Sequence, residues 1–513
     1  MSAEGASRIL EIWRNSQAKG QSGKNRRYLY ILSGVAEKKT ATFYFFKITE
    51  EIIMDQLYSV VCKINGMLSD YVLVILLIGC GLWFSIKTRF VQVRCFGEAW
   101  HAVFGNIKLK GEMNKSGLSS FQALTAAIAA QVGTGNIIGA SGAILTGGPG
   151  AIFWMWLIAF LGMATIYSEA VLAQETRVVD KDGNVHGGPV YYINRAFPNR
   201  FGKFLAGFFA IAIILALGFT GCMVQSNSIG SAFNNATGVP TWVVGIIVTV
   251  IAGIIFLGGV QRLASVTEKL VPLMAVLYIA GGLVLLAVNI KNLPSALGMI
   301  FKYAFEPQAI IGGGFGAALK IAVSQGAKRG LFSNEAGMGS TPHAHAQANV
   351  AKPHDQGVVA MMGLFIDTFV VLTMTALVVI TCLYAGDAPL ITIAGAGDLN
   401  KTNMVQTAFS MAFGKGFGGI FVAVCLAFFA FSTVLSWNFF GKINASYLFH
   451  GKKAPVVIYT IVSLAFIFLG SLMSNDLVWE LSDMFNQLMV LPNVIGLVAL
   501  TGLVVAASKS NKK

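Results

Sequence analysis

The sequence predicts an all-α polytopic membrane protein with about eleven transmembrane helices. Three observations carry that prediction. Charged residues make up 12% of the 513-residue chain, roughly half of what a soluble domain carries. Hydrophobic residues make up 55%, and the mean hydropathy is +0.68. The apolar residues are also gathered into runs near the ~17–25 residues that a bilayer-crossing helix needs.

In chain order, the uninterrupted runs ahead of the second glycine-rich break are Tyr71 to Ile86, Ile152 to Val171, Phe208 to Val224, Trp242 to Gly258 and Leu270 to Ala287. Those after it are Val358 to Tyr384, Gly418 to Phe440, Val456 to Met473 and Met489 to Ala507. Two further segments are broken by glycine and polar residues. One is Phe121 to Leu145, which contains Gln131-Val132-Gly133-Thr134-Gly135-Asn136; the other contains Asn334-Glu335-Ala336-Gly337-Met338-Gly339-Ser340. Residues 54–513 therefore read as a single transmembrane domain.

The net charge of +14 is a topology signal. With the loop from Lys87 to Lys115 placed in the cytoplasm, the cytoplasmic loops and C-terminal tail collect twenty Lys and Arg, and the opposite side collects five. That asymmetry follows the positive-inside rule. It makes the bilayer the partner of the basic excess, gives a multi-pass cell-membrane protein with a cytoplasmic C-terminus, and argues against nucleic acid. Residues 1–53 are basic and mixed, without a signal-peptide pattern, and this topology places them on the wrong side of the membrane. Met54 opens a segment that flows into the first run. We therefore expect the tail to be a disordered or spurious extension; a genuine cytoplasmic tail would force a different topology.

The bilayer interior has no water for free backbone groups, so an interrupted helix persists only where it lines a cavity or ligand site. Two such interruptions in corresponding places of two halves are the pattern expected of a secondary transporter's binding site. Gly133 and Gly135 let another group approach the backbone. Asn136 offers a neutral oxygen suited to a hard cation, and the half-helix beginning there turns its positive end toward the gap, which suits a carboxylate. Close helix packing through Gly135-xxx-Gly139 is the competing reading.

The block Gln131-Val132-Gly133-Thr134-Gly135-Asn136-Ile137, followed by Gly147-Gly148-Pro149-Gly150-Ala151-Ile152-Phe153-Trp154-Met155-Trp156, resembles the alanine or glycine:cation symporter family. Arg329-Gly330-Leu331-Phe332-Ser333-Asn334-Glu335-Ala336-Gly337-Met338-Gly339-Ser340 resembles that family's other signature. The likeness runs from about Met54 to the C-terminus. It implies sodium-coupled, or sometimes proton-coupled, uptake of alanine or glycine. It also implies a 5+5 inverted-repeat, leucine-transporter-like core plus one extra N-terminal helix, with repeat one at about 118–290 and repeat two at about 308–507. The Val132-Gly133-x-Gly135-Asn136 string is similar to the first core helix of the neurotransmitter sodium symporters. By that likeness the Asn136 side chain faces one sodium position. The carbonyls of Ala129 and Val132 face a second, opposite the hydroxyls of Ser432 and Thr433. The amides from Gly133 to Asn136 face the substrate carboxylate. Gln131 and Thr134 depart from that wider pattern, so their side-chain contacts do not carry over.

At the second break, a free carbonyl near Met338, between Gly337 and Gly339, is the expected acceptor for a substrate ammonium. Glu335 is an acid at membrane depth and expensive unless paired. It reads as a counter-charge to sodium or ammonium, or as a cap on the break's amides that pairs with Lys328 or Arg329. Asp367 reads as a sodium ligand or as a hydrogen-bond anchor. Hydroxyls such as those of Ser432 and Thr433 often bond only to their own helix. His343 and His345, two apart on a helix, point away from each other and read as a cytoplasm-facing helix surface. Trp154, Trp156 and Trp242 read as interface anchors. The six cysteines show no metal spacing and read as buried small hydrophobes.

The expectation is thus a sodium-driven symporter for a small neutral amino acid, with Na+ as coupling ion and no further metal or cofactor. Proton coupling is the first alternative. A membrane-embedded enzyme is a weaker one, because no nucleophile–base constellation accompanies the acids, and a passive channel is a third. The sequence sets no oligomeric state.

Overall fold

The structure is a computed structural model and describes residues 56–105, 118–180, 183–307, 314–386, 389–391 and 396–509. The expected N-terminal extension, 1–53, lies outside the described residues. The chain divides into two units, 1–63 and 64–513. In the first, the described residues 56–63 are helical. The second contains the helices that form the site.

Among the described residues, eight helices are long and apolar enough to cross a membrane, and a ninth crossing comes from the bent pair Ser120–Gln131 and Gly135–Gly147. Two more helices fail that test for different reasons. Thr241–Phe256 is apolar but short, and Phe315–Asn334 is long but polar, carrying Lys320, Lys328 and Arg329. With these two the expected eleven is reached.

Ala151–Thr176 is an inner helix, buried along most of its length, whereas Gly259–Val288 is peripheral and mostly exposed. Thr241–Phe256 shows the two-sided pattern of a lipid-facing helix. Val244, Val248, Ala252 and Ile255 point inward, while Trp242, Ile247, Val250 and Ile254 are exposed. Trp242 therefore sits on the outer surface, but Trp154 and Trp156 turn their indole N–H groups inward, to the Ala304 carbonyl and the Thr373 hydroxyl.

Gly147-Gly148-Pro149-Gly150 makes the tight turn into the Ala151–Thr176 helix. Gly148 has φ 72°, and a Cβ on Gly150 would lie 2.2 Å from the backbone carbonyl of Tyr303. This glycine is required by chain-to-chain contact, since backbone cannot retreat as a side chain can.

The starts and ends of the broken helices are tied together. Ser119 and Gln122 form a reciprocal cap at the entry of the first, which satisfies two otherwise free donors. Leu118 pairs in a short parallel bridge with the chain at Ala348, just beyond the second.

Candidate functional site

The first break begins where Val132 leaves helical geometry at ψ 85°, and the two halves are bent by 44°. The chain resumes through a π-helical turn, Gly135–Gly139, into Ala140–Gly147. Asn136 locks the gap from inside. Its Oδ1 accepts from the Gly133 amide at 3.1 Å, and its Nδ2 donates to Asp367 Oδ1 at 2.7 Å.

The second break begins as Phe315–Asn334 ends with Glu335 in the left-handed region at φ 60°. A non-glycine residue there is strained by about 1–3 kcal/mol and persists only if its surroundings hold it. Here the Trp437 indole donates to Glu335 Oε1 at 2.5 Å, and the Ser340 hydroxyl donates to Oε2. Gly337 and Gly339 follow at φ 87° and 80°, and helix resumes at Pro342–His345.

The two breaks meet. Gln131 Nε2 donates to the Asn334 carbonyl at 2.9 Å. Gly135 lies against Ser333, where an added Cβ would come within 3.0 Å of its Cα. Above this junction sits Asp367, in a π-helical turn, Phe365–Leu372, of the helix that starts at Pro353. Such turns recur at functional sites. Asp367 is fully buried, and it accepts from Asn136, from Ser333 at 3.2 Å and from Thr368 at 2.8 Å. All three donors are neutral.

The other expected positions divide into two groups. Ala129, Ser432 and Thr433 come together: Thr433 Oγ1 donates to the Ala129 carbonyl at 2.8 Å, and Ser432 Oγ lies 3.4 Å from it. Val132 ends the same half-helix. Gly337, Met338 and Gly339 instead lie against Glu169, whose carboxylate accepts from the amides of Gly337 at 3.3 Å and Gly339 at 3.0 Å. Asn493 donates both to Glu169 Oε1 and to the Gly337 carbonyl. The cap on this break is therefore Glu169 and not Glu335. Nor does Glu335 pair with the neighbouring bases: Lys328 bonds Glu480 and Asp483, and Arg329 bonds Asp483.

The amides expected to face a carboxylate are partly occupied. Gly133 N is held by Asn136, and Thr134 N donates to Gln225 Oε1 at 3.2 Å. Around them Gln131 Oε1, Thr134 Oγ1 and Gln225 Nε2 are buried without a partner, a cost of about 1–3 kcal/mol each unless a bound molecule supplies one.

The histidines do not form a cytoplasm-facing surface. His343 is buried, bonded to the Ser340 carbonyl and to Asn444, and stacked on Phe209 and Phe440. His345 is buried against Gln356. The chain after the second break folds inward, which the i, i+2 spacing does not reveal.

Sequence reasoning missed Glu169, Gln225, Ser333, Thr368, Trp437 and Asn493. Glu169 alone had a readable signal, as an acid inside the apolar run from Ile152 to Val171. The others are ordinary polar residues whose roles come from what they face.

Gly133→Ala tests the crowding at the first break. The new Cβ would lie 2.4 Å from Thr433 Oγ1, and a hydroxyl can rotate away. Folded protein should still accumulate, but with the Thr433 hydroxyl turned off the Ala129 carbonyl the unfolding midpoint should fall by the equivalent of about 1 kcal/mol, the size of one hydrogen bond. An unchanged midpoint would show that Thr433 does not brace this break.

Comparison with known proteins assigns the chain to a family. The sodium:alanine symporter family matches residues 54–513. The sodium/alanine symporter AgcS of Methanococcus maripaludis is 40% identical over 453 residues, covering 88% of this chain and 96% of that protein. The amino-acid carrier protein AlsT of Bacillus subtilis is 38% identical, covering 87% and 91%. The crystal structure of MhsT in complex with L-phenylalanine superimposes with a TM-score of 0.54 at 15% identity, covering 77% of this chain and 99% of that one, and this supports the leucine-transporter-like fold. The chain thus belongs to the sodium:alanine symporter family and is a multi-pass membrane carrier that couples amino-acid transport to a cation, not an enzyme.

Proposed function

We propose that the protein couples sodium entry to uptake of a small neutral amino acid, alanine or glycine, by alternating access. The observation that carries this reading is Asp367, a fully buried carboxylate with only neutral donors, placed where the two breaks meet. A buried charge is costly without an opposite one, so a mobile cation has a ready place beside Asn136 and Asp367. A second cation position is supported by the Ala129 carbonyl with Ser432 and Thr433. Carbonyl and hydroxyl oxygens suit a hard cation.

The substrate carboxylate would take the Thr134 amide, where a neutral amide oxygen, Gln225 Oε1, now stands. Gln225 could then rotate its unpartnered Nε2 toward the same carboxylate. The ammonium would turn to Gln131 Oε1 and to backbone carbonyls of the second break. Met338 and its neighbouring glycines serve this site indirectly, by holding the break open on Glu169.

Two features support the alternating-access reading. A cavity of about 350 Å³ opens among the basic loops, lined by Leu118, His186, Val260, Gln347, Asn438 and Lys442. Toward the other side, Lys401 pairs with Asp476 at 3.0 Å, and Lys328 and Arg329 pair with Asp483. One charge crossing the membrane potential then supplies about 2.3 kcal/mol per 100 mV.

Proton coupling is the second reading, favoured by the same neutral surroundings of Asp367, because a proton also offsets its charge. Uptake of labelled alanine into proteoliposomes decides between them. Accumulation should require an inward sodium gradient at fixed pH, and dependence on a proton gradient alone would transfer the reading to protons. In Gln225→Ala the half-saturating alanine concentration should rise about tenfold with sodium dependence unchanged. Accumulation with no cation gradient at all would end the proposal.

A further inference from the structure

We propose that Cys95, Glu98 and His354 form an inhibitory binding site for a divalent transition-metal ion of the zinc class. Cys95 and Glu98 lie one helical turn apart and His354 is 256 positions beyond Glu98, yet their donor atoms lie within 4.8 Å of one another. His354 Nε2 is 3.2 Å from Glu98 Oε1. Tetrahedral zinc with these ligands needs donor separations of ~3.6 Å, so only a small contraction is required. A thiolate, an imidazole and a carboxylate form a donor set that selects zinc-class ions over sodium or magnesium.

The frame around the trio is firm. Cys95 precedes the short helix Phe96–Trp100, in which Glu98 sits one turn further on the same face. Arg94 ties this segment to the carbonyls of Thr88 and Ser508, and the Phe96 ring packs edge-on against Phe365, 5.0 Å away. His354 lies in the first turn of Pro353–Leu364, and its Nδ1 is 2.7 Å from the buried Tyr167 hydroxyl. When Nδ1–H donates to the Tyr167 oxygen, the Nε2 lone pair points toward Glu98, the outer support that metal-binding histidines usually have. Cys95 and His354 are buried, and Glu98, with 38% of its side chain exposed, forms the edge through which an ion and a water ligand can enter.

Without metal, Cys95 Sγ lies within 4.8 Å of a Glu98 carboxylate oxygen. On binding, the S–H bond breaks, an S–metal bond forms, and one proton passes to solvent per ion bound, so affinity rises with pH. The bound ion would fasten the helices after the first span to the helix that leads into Asp367. That link makes the site inhibitory: the helix bearing Asp367 could not move independently during transport.

The test uses the purified full-length protein in detergent, titrated with Co2+. Wild type should develop a thiolate-to-cobalt charge-transfer band that saturates at one ion per chain and is displaced by Zn2+. Cys95→Ser should show no band, and Tyr167→Phe should bind about 10–100-fold more weakly. In proteoliposomes Zn2+ should slow alanine uptake by wild type but not by Cys95→Ser, whose metal-free uptake should match wild type and so report an intact fold. If Cys95→Ser does not fold, Glu98→Gln serves instead, retaining the band at weaker affinity. A silent wild type, a band that survives Cys95→Ser, or uptake indifferent to Zn2+ would each overturn the proposal.

Discussion

Asp367→Asn is expected to abolish cation-driven uptake while leaving a folded carrier. The new amide keeps the shape of the carboxylate: its oxygen can still accept from Asn136, and its nitrogen can donate to the hydroxyl oxygens of Ser333 or Thr368. Only the negative charge is lost. Removing one partner of a buried charge pair costs about 3–5 kcal/mol, so cation affinity should fall by at least about a hundredfold. Uptake of labelled alanine under an imposed sodium gradient measures the loss, and thermal unfolding in detergent checks the fold. Sodium-stimulated uptake close to wild type would show that Asp367 is an anchor for Asn136 and nothing more.

Glu169→Ala should have the largest effect on stability. It strands the Gly337 and Gly339 amides and frees one hydrogen of the Asn493 amide, three buried donors in all. Each costs about 1–3 kcal/mol when left without an acceptor. The second break should then lose its shape, with a clear fall in the unfolding midpoint and in uptake together. Glu169→Gln should fall between, because one amide oxygen can serve some of the donors while the added N–H group meets others. A variant with normal stability and normal uptake would mean that water or another side chain caps this break.

Much of the architecture was legible in the sequence because membrane spans obey a simple physical rule. Every backbone group in hydrocarbon must find its partner within the segment, so length and apolarity identify spans such as Ala151–Thr176 directly. The breaks were legible for the converse reason, since glycine pairs and polar residues at membrane depth are costly without a purpose. Gln131, Asn136, Asp367, Ser432 and Thr433 were readable as polar groups in apolar surroundings. Roles at the second break were less so. Glu335 and Glu169 are both intramembrane acids, and nothing local says that Glu169 caps the break while Glu335 is held by Trp437 and Ser340. His343 and His345 failed for the same reason, as burial depends on where the chain turns after Ser340.

That this is a helical membrane protein, and where its helices break, can be read from the order of residues, because apolar length and backbone satisfaction are local properties of a chain. Tertiary structure alone decided that Gln131 meets Asn334, that Asp367 stands over Asn136, and that Cys95 and Glu98 approach His354. Those contacts join residues hundreds of positions or entire spans apart, and their energies depend on distance, direction and burial, none of which is written in the order of the residues.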